Sequence, residues 1–184
     1  GARTGDVCFN SGIRALADLR VANSARLRTN GLDFLTQYQR YLGPGSLAVR
    51  LDGTYILSFA EAASRRGRLI EHVSTQNNPI DLRLRAALSW RAGRFQASAL
   101  VNYFDNYRDV ANIPHRRVSS WTTSDITLGY ELNGSLGAVT AQLSIENVLD
   151  HPPPFLNNQI GIGYDRENGE LLGRLVSISL RQQW

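Results

Sequence analysis

Three histidines, one cysteine, sixteen acidic residues and twenty basic ones are the groups with which this 184-residue chain could do chemistry. His72, His115 and His151 are far apart in sequence, and each falls in a polar stretch between apolar runs. No His-Glu-x-x-His zinc motif and no Gly-x-Ser-x-Gly nucleophile elbow occurs. Gly161-Ile162-Gly163 lacks the third glycine and the following helix of a dinucleotide turn, and reads as loop flexibility. Cys8 is alone, so the chain builds no internal disulfide and no cysteine-based metal site. A partner upstream or a plain buried thiol are the two readings of it. Carboxylates are scattered rather than paired. These residues point to no enzyme, no metal and no cofactor. Anion recognition is what remains. All the basic residues are arginine, and Arg65, Arg66 and Arg68 form one knot while Arg108, His115, Arg116 and Arg117 form a looser one. A guanidinium offers a planar fork of donors that suits carboxylate and phosphate groups. Solvated loops are the bland reading of both groups. Elsewhere the arginines are dispersed and the net charge is only +4, which excludes the concentrated basic stripe of a nucleic-acid binder.

The elements that would position these residues are strands. From Leu27 to Leu42, Leu32, Phe34, Tyr38 and Leu42 fall on one side and Asp33, Gln37 and Gln39 on the other, the period-two pattern of a strand. Gly43-Pro44-Gly45 forces a tight turn. Leu47 to Phe59 places Leu47, Val49, Leu51, Tyr55, Leu57 and Phe59 opposite Ala48, Arg50, Asp52, Thr54 and Ser58, with Ile56 the exception. Ile80–Trp90, Arg94–Tyr107, Trp121–Leu132 and Val139–Leu149 alternate in the same way. Arg91-Ala92-Gly93 is a short turn, and Asn133-Gly134 begins another, a strong hairpin signal. Long polar connections, about 60–78, 108–120 and 150–171, separate the hairpins. Residues 1–22 form a poorly defined lead-in, read as extended over Gly12–Val21 because the strands follow it, with a helix over Ile13–Leu19 the alternative that its Ala, Leu and Arg content allows.

No stretch approaches the ~20 apolar residues of a membrane helix. Barrel strands alternate and never show high average hydropathy, so that absence leaves a membrane barrel open. Arg50, Asp52, Asp81, Arg83, Arg85, Asp125, Glu131 and Glu146 all lie opposite the apolar faces. In a barrel they would line a wet lumen; on the lipid side an arginine at the midplane would cost roughly 2–4 kcal/mol. A soluble antiparallel sheet with one solvated face gives the same alternation. Connections that alternate short and long favour the barrel, with tight turns on the periplasmic side and long loops outside.

The last third carries the most specific pattern. Asn147 and Asp150 are followed by Pro152 and Pro153, then Tyr164-Asp165, then Gly173-Arg174, then a strand with Val176, Ile178, Leu180 and Trp184 on one face. In this order the stretch resembles the C-terminus of TonB-dependent receptors, most sharply over residues 121–184 and less so back to about residue 25. Gln182 departs from the apolar residue that many barrel ends carry there.

The resemblance implies an all-β chain: an antiparallel meander of about seven or eight long strands, the C-terminal portion of a transmembrane β-barrel of about 22 strands. Residues 1–184 would be one partial barrel domain, without a recognisable plug. The parent would sit in the outer membrane of a Gram-negative bacterium. It would import a scarce nutrient such as a ferric siderophore, cobalamin or an oligosaccharide with energy from the TonB complex. Arg65, Arg66, Arg68, His115, Arg116 and Arg117 would be its ligand-facing candidates, or would touch lipopolysaccharide phosphates. Val176, Ile178, Leu180 and Trp184 would be the signal read by the barrel-assembly machinery. Partners would be membrane lipid, the nutrient, the TonB complex and that machinery, and no nucleic acid. A passive porin and a soluble β-sheet ligand-binding domain are the alternatives.

Overall fold

A computed structural model describes residues 25–134, 137–158 and 161–183. The lead-in with Cys8, and Trp184, therefore lie outside the described residues. The described chain is all β: β1 (Arg26–Leu42), β2 (Gly45–Ala62), β3 (Ile70–Glu71), β4 (Leu82–Ala92), β5 (Phe95–Phe104), β6 (Tyr107–Asp109), β7 (Arg116–Val118), β8 (Trp121–Gly134), β9 (Gly137–Glu146) and β10 (Leu175–Gln183). Seven long strands pair antiparallel in the order β1-β2-β4-β5-β8-β9-β10, the short β3 adds to β2, and β6 and β7 make a separate two-stranded sheet. This is the meander expected from the alternation. Among the described residues β1 pairs only with β2, and β10 only with β9.

Register turns the separate alternations into two continuous faces. One row runs Tyr38, Val49, Leu88, Ala99, Ile126, Ile145, Val176 across all seven strands. The next row toward the short turns is apolar except at its β1 end, running Arg40, Leu47, Trp90, Ala97, Leu128, Leu143, Ile178. Between them lies a polar row on the other face: Gln39, Ala48, Ser89, Ser98, Thr127, Ser144, Ser177. Arg50, Asp52, Arg83, Arg85, Asp125, Glu131 and Glu146 share the polar face, with apolar exceptions there such as Leu35, Leu100, Phe104 and Trp121. Asp81 lies just before β4, in a loop. Among the described residues nothing covers the apolar face: Leu32 is 61% exposed, Leu57 56% and Ile178 76%. In water such a surface would far exceed the few hundred Å² that a soluble monomer leaves open.

The exception at Ile56 has a local cause. Pairing steps from Asn30↔Ser58 to Gly31↔Ile56, which leaves Leu57 as the extra residue of a β-bulge. Opposite the bulge the backbones approach so closely that a Cβ on Gly31 would lie 2.7 Å from the Tyr55 carbonyl oxygen.

Three boundaries differ from the pattern. Asn133 and Gly134 continue β8 and pair with Ala138 and Gly137, so the reversal comes two residues later than the Asn-Gly signal suggests. A reversal at Asn133-Gly134 would slide β9 by four residues and set Leu143 against Ser124. The observed register opposes Leu143 to Leu128 and Ile145 to Ile126. Leu149 is not on β9, because Asn147 turns to φ +47° and ends the strand at Glu146. Tyr107 leaves β5 for β6, where it is buried.

The short connections from β1 to β2, from β4 to β5 and from β8 to β9 all lie at one end of the sheet. Connections 63–81, 105–120 and 147–174 lie at the other. The packed apolar core sits among these long loops rather than beneath the sheet.

Candidate ligand-facing cap

Each long loop contributes an apolar residue to one small core: Ile80 from the first, Tyr107 and Val118 from the second, Leu156 from the third, with Phe104 packed against them. Ile80 and Leu156 are the largest fully buried side chains among the described residues. Phe104 also stacks on Trp121 at 5.5 Å between ring centroids. The space left between these groups is about 10 Å³, at the limit for one water. The cap core is therefore a filled joint and not a ligand cavity.

Hydrogen bonds join the same three loops. Ser74 and Gln76 bracket Arg108, whose N–H donates to the Ser74 carbonyl at 2.9 Å and whose carbonyl accepts from Gln76 N–H at 3.0 Å. Asp165, 2% exposed, accepts from Asn77 N–H at 2.9 Å, from Asn168 Nδ2 at 2.9 Å and from Glu167 N–H at 3.0 Å. Asn168 Nδ2 also donates to the Asn78 carbonyl at 2.9 Å, and Asn168 Oδ1 accepts from Arg83 Nη2. Arg83 stands on the polar face of β4 with its guanidinium 5.4 Å from the Phe104 ring centre. It anchors the third loop to the sheet wall. Asn112 Nδ2 to the Asn157 carbonyl and Trp121 Nε1 to the His151 carbonyl, at 3.1 Å, complete the joint.

Most of the family-like residues serve this architecture. Asn147 receives the His151 N–H on its Oδ1 at 3.0 Å and donates to the His151 carbonyl at 3.2 Å, while its own N–H meets Asp125 Oδ1 at 2.9 Å. Asp150, at φ +53°, accepts the Arg174 N–H at 2.8 Å. A Cβ on Gly173 would come within 2.9 Å of that same Asp150 oxygen, so only glycine leaves the carboxylate room to bridge the two ends of the loop. Pro153 lines the narrow space beside Gly169, Pro152 is exposed, and the Tyr164 carbonyl accepts from Asn158 Nδ2 at 2.8 Å. The structure thus brings Asn147, Asp150, Gly173 and Arg174 together as a clasp, and places Asp165 in the joint with the first loop.

The arginines stand on the cap's surface. Arg65, Arg66 and Arg68 are exposed at the tip of the first loop. His115, Arg116 and Arg117 are exposed on the β6–β7 hairpin, and Arg108 joins them because it pairs directly with Arg117. Like charges directly opposite each other repel. Asn106 Oδ1 takes Arg117 Nε at 2.7 Å. Arg116 faces Asp109, whose carboxylate is already filled by Ala111 N–H, Asn112 N–H and Asn112 Nδ2. The hairpin therefore presents cationic groups in excess of their local acceptors, and among the described residues no hydrogen bond or ion pair joins it to the Arg65 knot.

Ionisable groups around the joint are shifted in ways that follow from it. Burial pushes the Tyr107 phenol well up, assisted by the Asp165 and Asp109 charges. Burial also works to raise Asp105, but N–H donation from Asn106, its side-chain amide, the Tyr103 hydroxyl and the nearby Arg117 charge outweigh it and hold the carboxyl low. Glu71 is held low by the Ser58 hydroxyl and the Phe59 N–H.

Below the cap the polar face opens into two hollows. One, about 290 Å³, lies between Asn102, Phe104, Trp121 and Thr123 on the wall and Arg166–Glu170 of the third loop. The other, about 420 Å³, is bordered by Asp33, Asp52, Thr54, Arg83, Arg85 and Asn102. Sequence reasoning missed both the Asp165–Asn168 joint and the anchoring role of Arg83. The Asp-x-x-Asn spacing at 165–168 is the one local signal that could have found the joint.

No curated protein and no solved structure matches this chain. The family described as TonB dependent receptor-like, beta-barrel matches residues 2–148, which covers β1 through β9 and Asn147 and stops before the rest of the clasp and β10. That family is one of transporters and receptors rather than enzymes, and it implies an outer-membrane location. With its meander of long strands, its apolar outer face and this match over most of its length, the chain belongs to the TonB-dependent receptor β-barrel family.

Proposed function

We propose that residues 1–184 form one part of the barrel wall of a larger receptor in a Gram-negative outer membrane. It captures a scarce nutrient on its outer loops and imports it with TonB-derived energy. The observation that carries this reading is the polarity of the sheet. One face is apolar across seven strands, the other is polar, and all three long loops gather into a single cap at one end. The apolar face meets lipid, the polar face lines the passage, and the cap meets the ligand. The free edges of β1 and β10 pair with further strands of the same barrel, and the plug that engages TonB lies elsewhere in the parent. Val176, Ile178 and Leu180, exposed on β10, together with Trp184 supply the assembly signal.

Arg65, Arg66, Arg68, Arg108, His115, Arg116 and Arg117 would favour a ligand with carboxylate, hydroxamate or phosphate oxygens. A ferric siderophore is the nutrient class that fits them best. The test is radiolabelled ferric-siderophore uptake by an iron-starved host carrying the complete receptor gene. Uptake should vanish with the gene deleted. It should also vanish with TonB absent, while surface binding persists. Uptake that continues without TonB would mean a passive pore.

A further inference from the structure

Two arginines stand side by side twice in this chain, at Arg65-Arg66 and at Arg116-Arg117. The fold treats the two pairs in opposite ways. Arg116 and Arg117 lie on β7, paired with Asp109 and Arg108 of β6, and the next residue, Val118, is buried in the cap core. Arg117 is also held by Asn106 Oδ1 at 2.7 Å. Arg65 and Arg66 are instead the central residues of a turn at the tip of the first loop. One hydrogen bond closes that turn, from Gly67 N–H to the Ser64 carbonyl at 3.0 Å. Ala63, Ser64, Arg65, Arg66 and Arg68 are all exposed. Among the described residues, no guanidinium of Arg65, Arg66 or Arg68 has a hydrogen bond or ion pair. Both ends of the tip are pinned. On one side β2 stays paired as far as Ala62, opposite Arg26. On the other, Glu71 takes the Ser58 hydroxyl and the Phe59 N–H, each at 2.6 Å, and His72 N–H donates to the Phe59 carbonyl at 2.8 Å. A peptide bond is cut only where its segment can leave the fold and lie extended in a protease cleft, which exposed loop tips allow and paired strands do not.

We propose that Arg65-Arg66 is a processing site for an endoprotease that reads two consecutive arginines, and that the cut switches off ligand capture by the cap. Two unpaired guanidinium groups offer forked donors to carboxylates in the adjoining pockets of such a protease. Gly67 follows them and brings no side chain against the cleft. Water is the co-reactant. It adds across the Arg66–Gly67 peptide bond and leaves a carboxylate on Arg66 and an amino group on Gly67. β2 and β3 keep their pairing, because their anchors lie outside the tip. Arg68 is then no longer tied to Arg65 and Arg66, and the new carboxylate competes for the guanidinium groups that hold the ligand. This second half rests on the reading of these arginines as ligand-facing.

Intact cells carrying the complete receptor would be treated with kexin, an endoprotease that cuts after paired basic residues. New N-termini would be read by sequencing, and surface binding of radiolabelled ferric siderophore measured before and after. One new N-terminus, at Gly67, should appear, with the barrel still heat-modifiable on a gel. R117Q should be cut as the parent is, and R66Q should resist. Binding should fall by roughly tenfold in the cut parent, the least that one lost hydrogen bond to a charged group is worth. In treated R66Q it should stay at its own starting level. No cut, a cut after Arg117, or cutting of R66Q would each overturn the processing site. A cut before Gly67 that leaves binding unchanged would overturn the switch. Absence of binding by the uncut parent would overturn the siderophore reading, and the new N-terminus would still decide the site.

Discussion

An arginine on the wrong side of β2 is the sharpest perturbation the two faces allow. Leu51 lies midway along the apolar run Leu47–Tyr55 and is 39% exposed beside Ala86 and Thr36. Its neighbour Arg50 is already an arginine, but it points to the other face and pairs with Asp52 at 2.7 Å. Four residues separate Leu51 from either end of its run, so at about 40° of tilt it sits about 10 Å inside the apolar band. Leu51→Arg should therefore cost about 2–4 kcal/mol in lipid. Ser89→Arg, on the polar face of β4, should stay within about 0.5 kcal/mol. The assay is guanidinium unfolding of the complete barrel in phosphatidylcholine vesicles, followed by tryptophan emission. If the face were solvated rather than lipid-bound, an exposed leucine could become arginine with little loss. Equal midpoints for Leu51→Arg and Ser89→Arg would refute the assignment of the faces.

Other consequences concern the cap and the bulge. Asp165→Ala leaves the Asn77 N–H and the Asn168 amide without their buried acceptor. It should destabilise the joint by about 1–3 kcal/mol, seen as faster trypsin cleavage at Arg166 with the strands intact. Gly31→Val forces a side chain against the Tyr55 carbonyl and should lower barrel stability by about 1–3 kcal/mol in the same vesicle assay. Glu71 has its carboxyl lowered on folding, so its contribution is complete above the ordinary glutamate value of about 4.3 and disappears as pH falls through the lower folded value. Amide exchange at Phe59 should accelerate over that acid range in the native protein, and Glu71→Gln should abolish the pH dependence.

How much of this was legible can be judged strand by strand. The alternation in Leu47–Phe59 and in Phe95–Tyr103 was enough to assign faces, because lipid and lumen select opposite side chains along every strand. It also flagged Ile56, which marks the bulge. Alternation could not set register. Asn133-Gly134 looked like a reversal, yet the pairing of Leu143 with Leu128 outweighed the local turn preference. The cap was illegible for a different reason. Ile80, Tyr107, Val118 and Leu156 are widely spaced with no period, and only the strand ends bring them together. Asn147, Asp150, Gly173 and Arg174 were recognisable as an ordered set. Their shared task, closing the third loop, depends on φ angles and a carboxylate-to-amide bond that residue types alone do not display.

The claim underlying all of this is that the long strands cross a membrane with the cap outside and the short turns inside. Single cysteines introduced into the complete receptor on a Cys8→Ser background measure it directly, using an impermeant maleimide on intact cells. Arg116→Cys should label on intact cells, Arg94→Cys only after the outer membrane is opened, and Leu51→Cys in neither case. Labelling of Arg94→Cys on intact cells with Arg116→Cys protected, or free labelling of Leu51→Cys, would contradict the account.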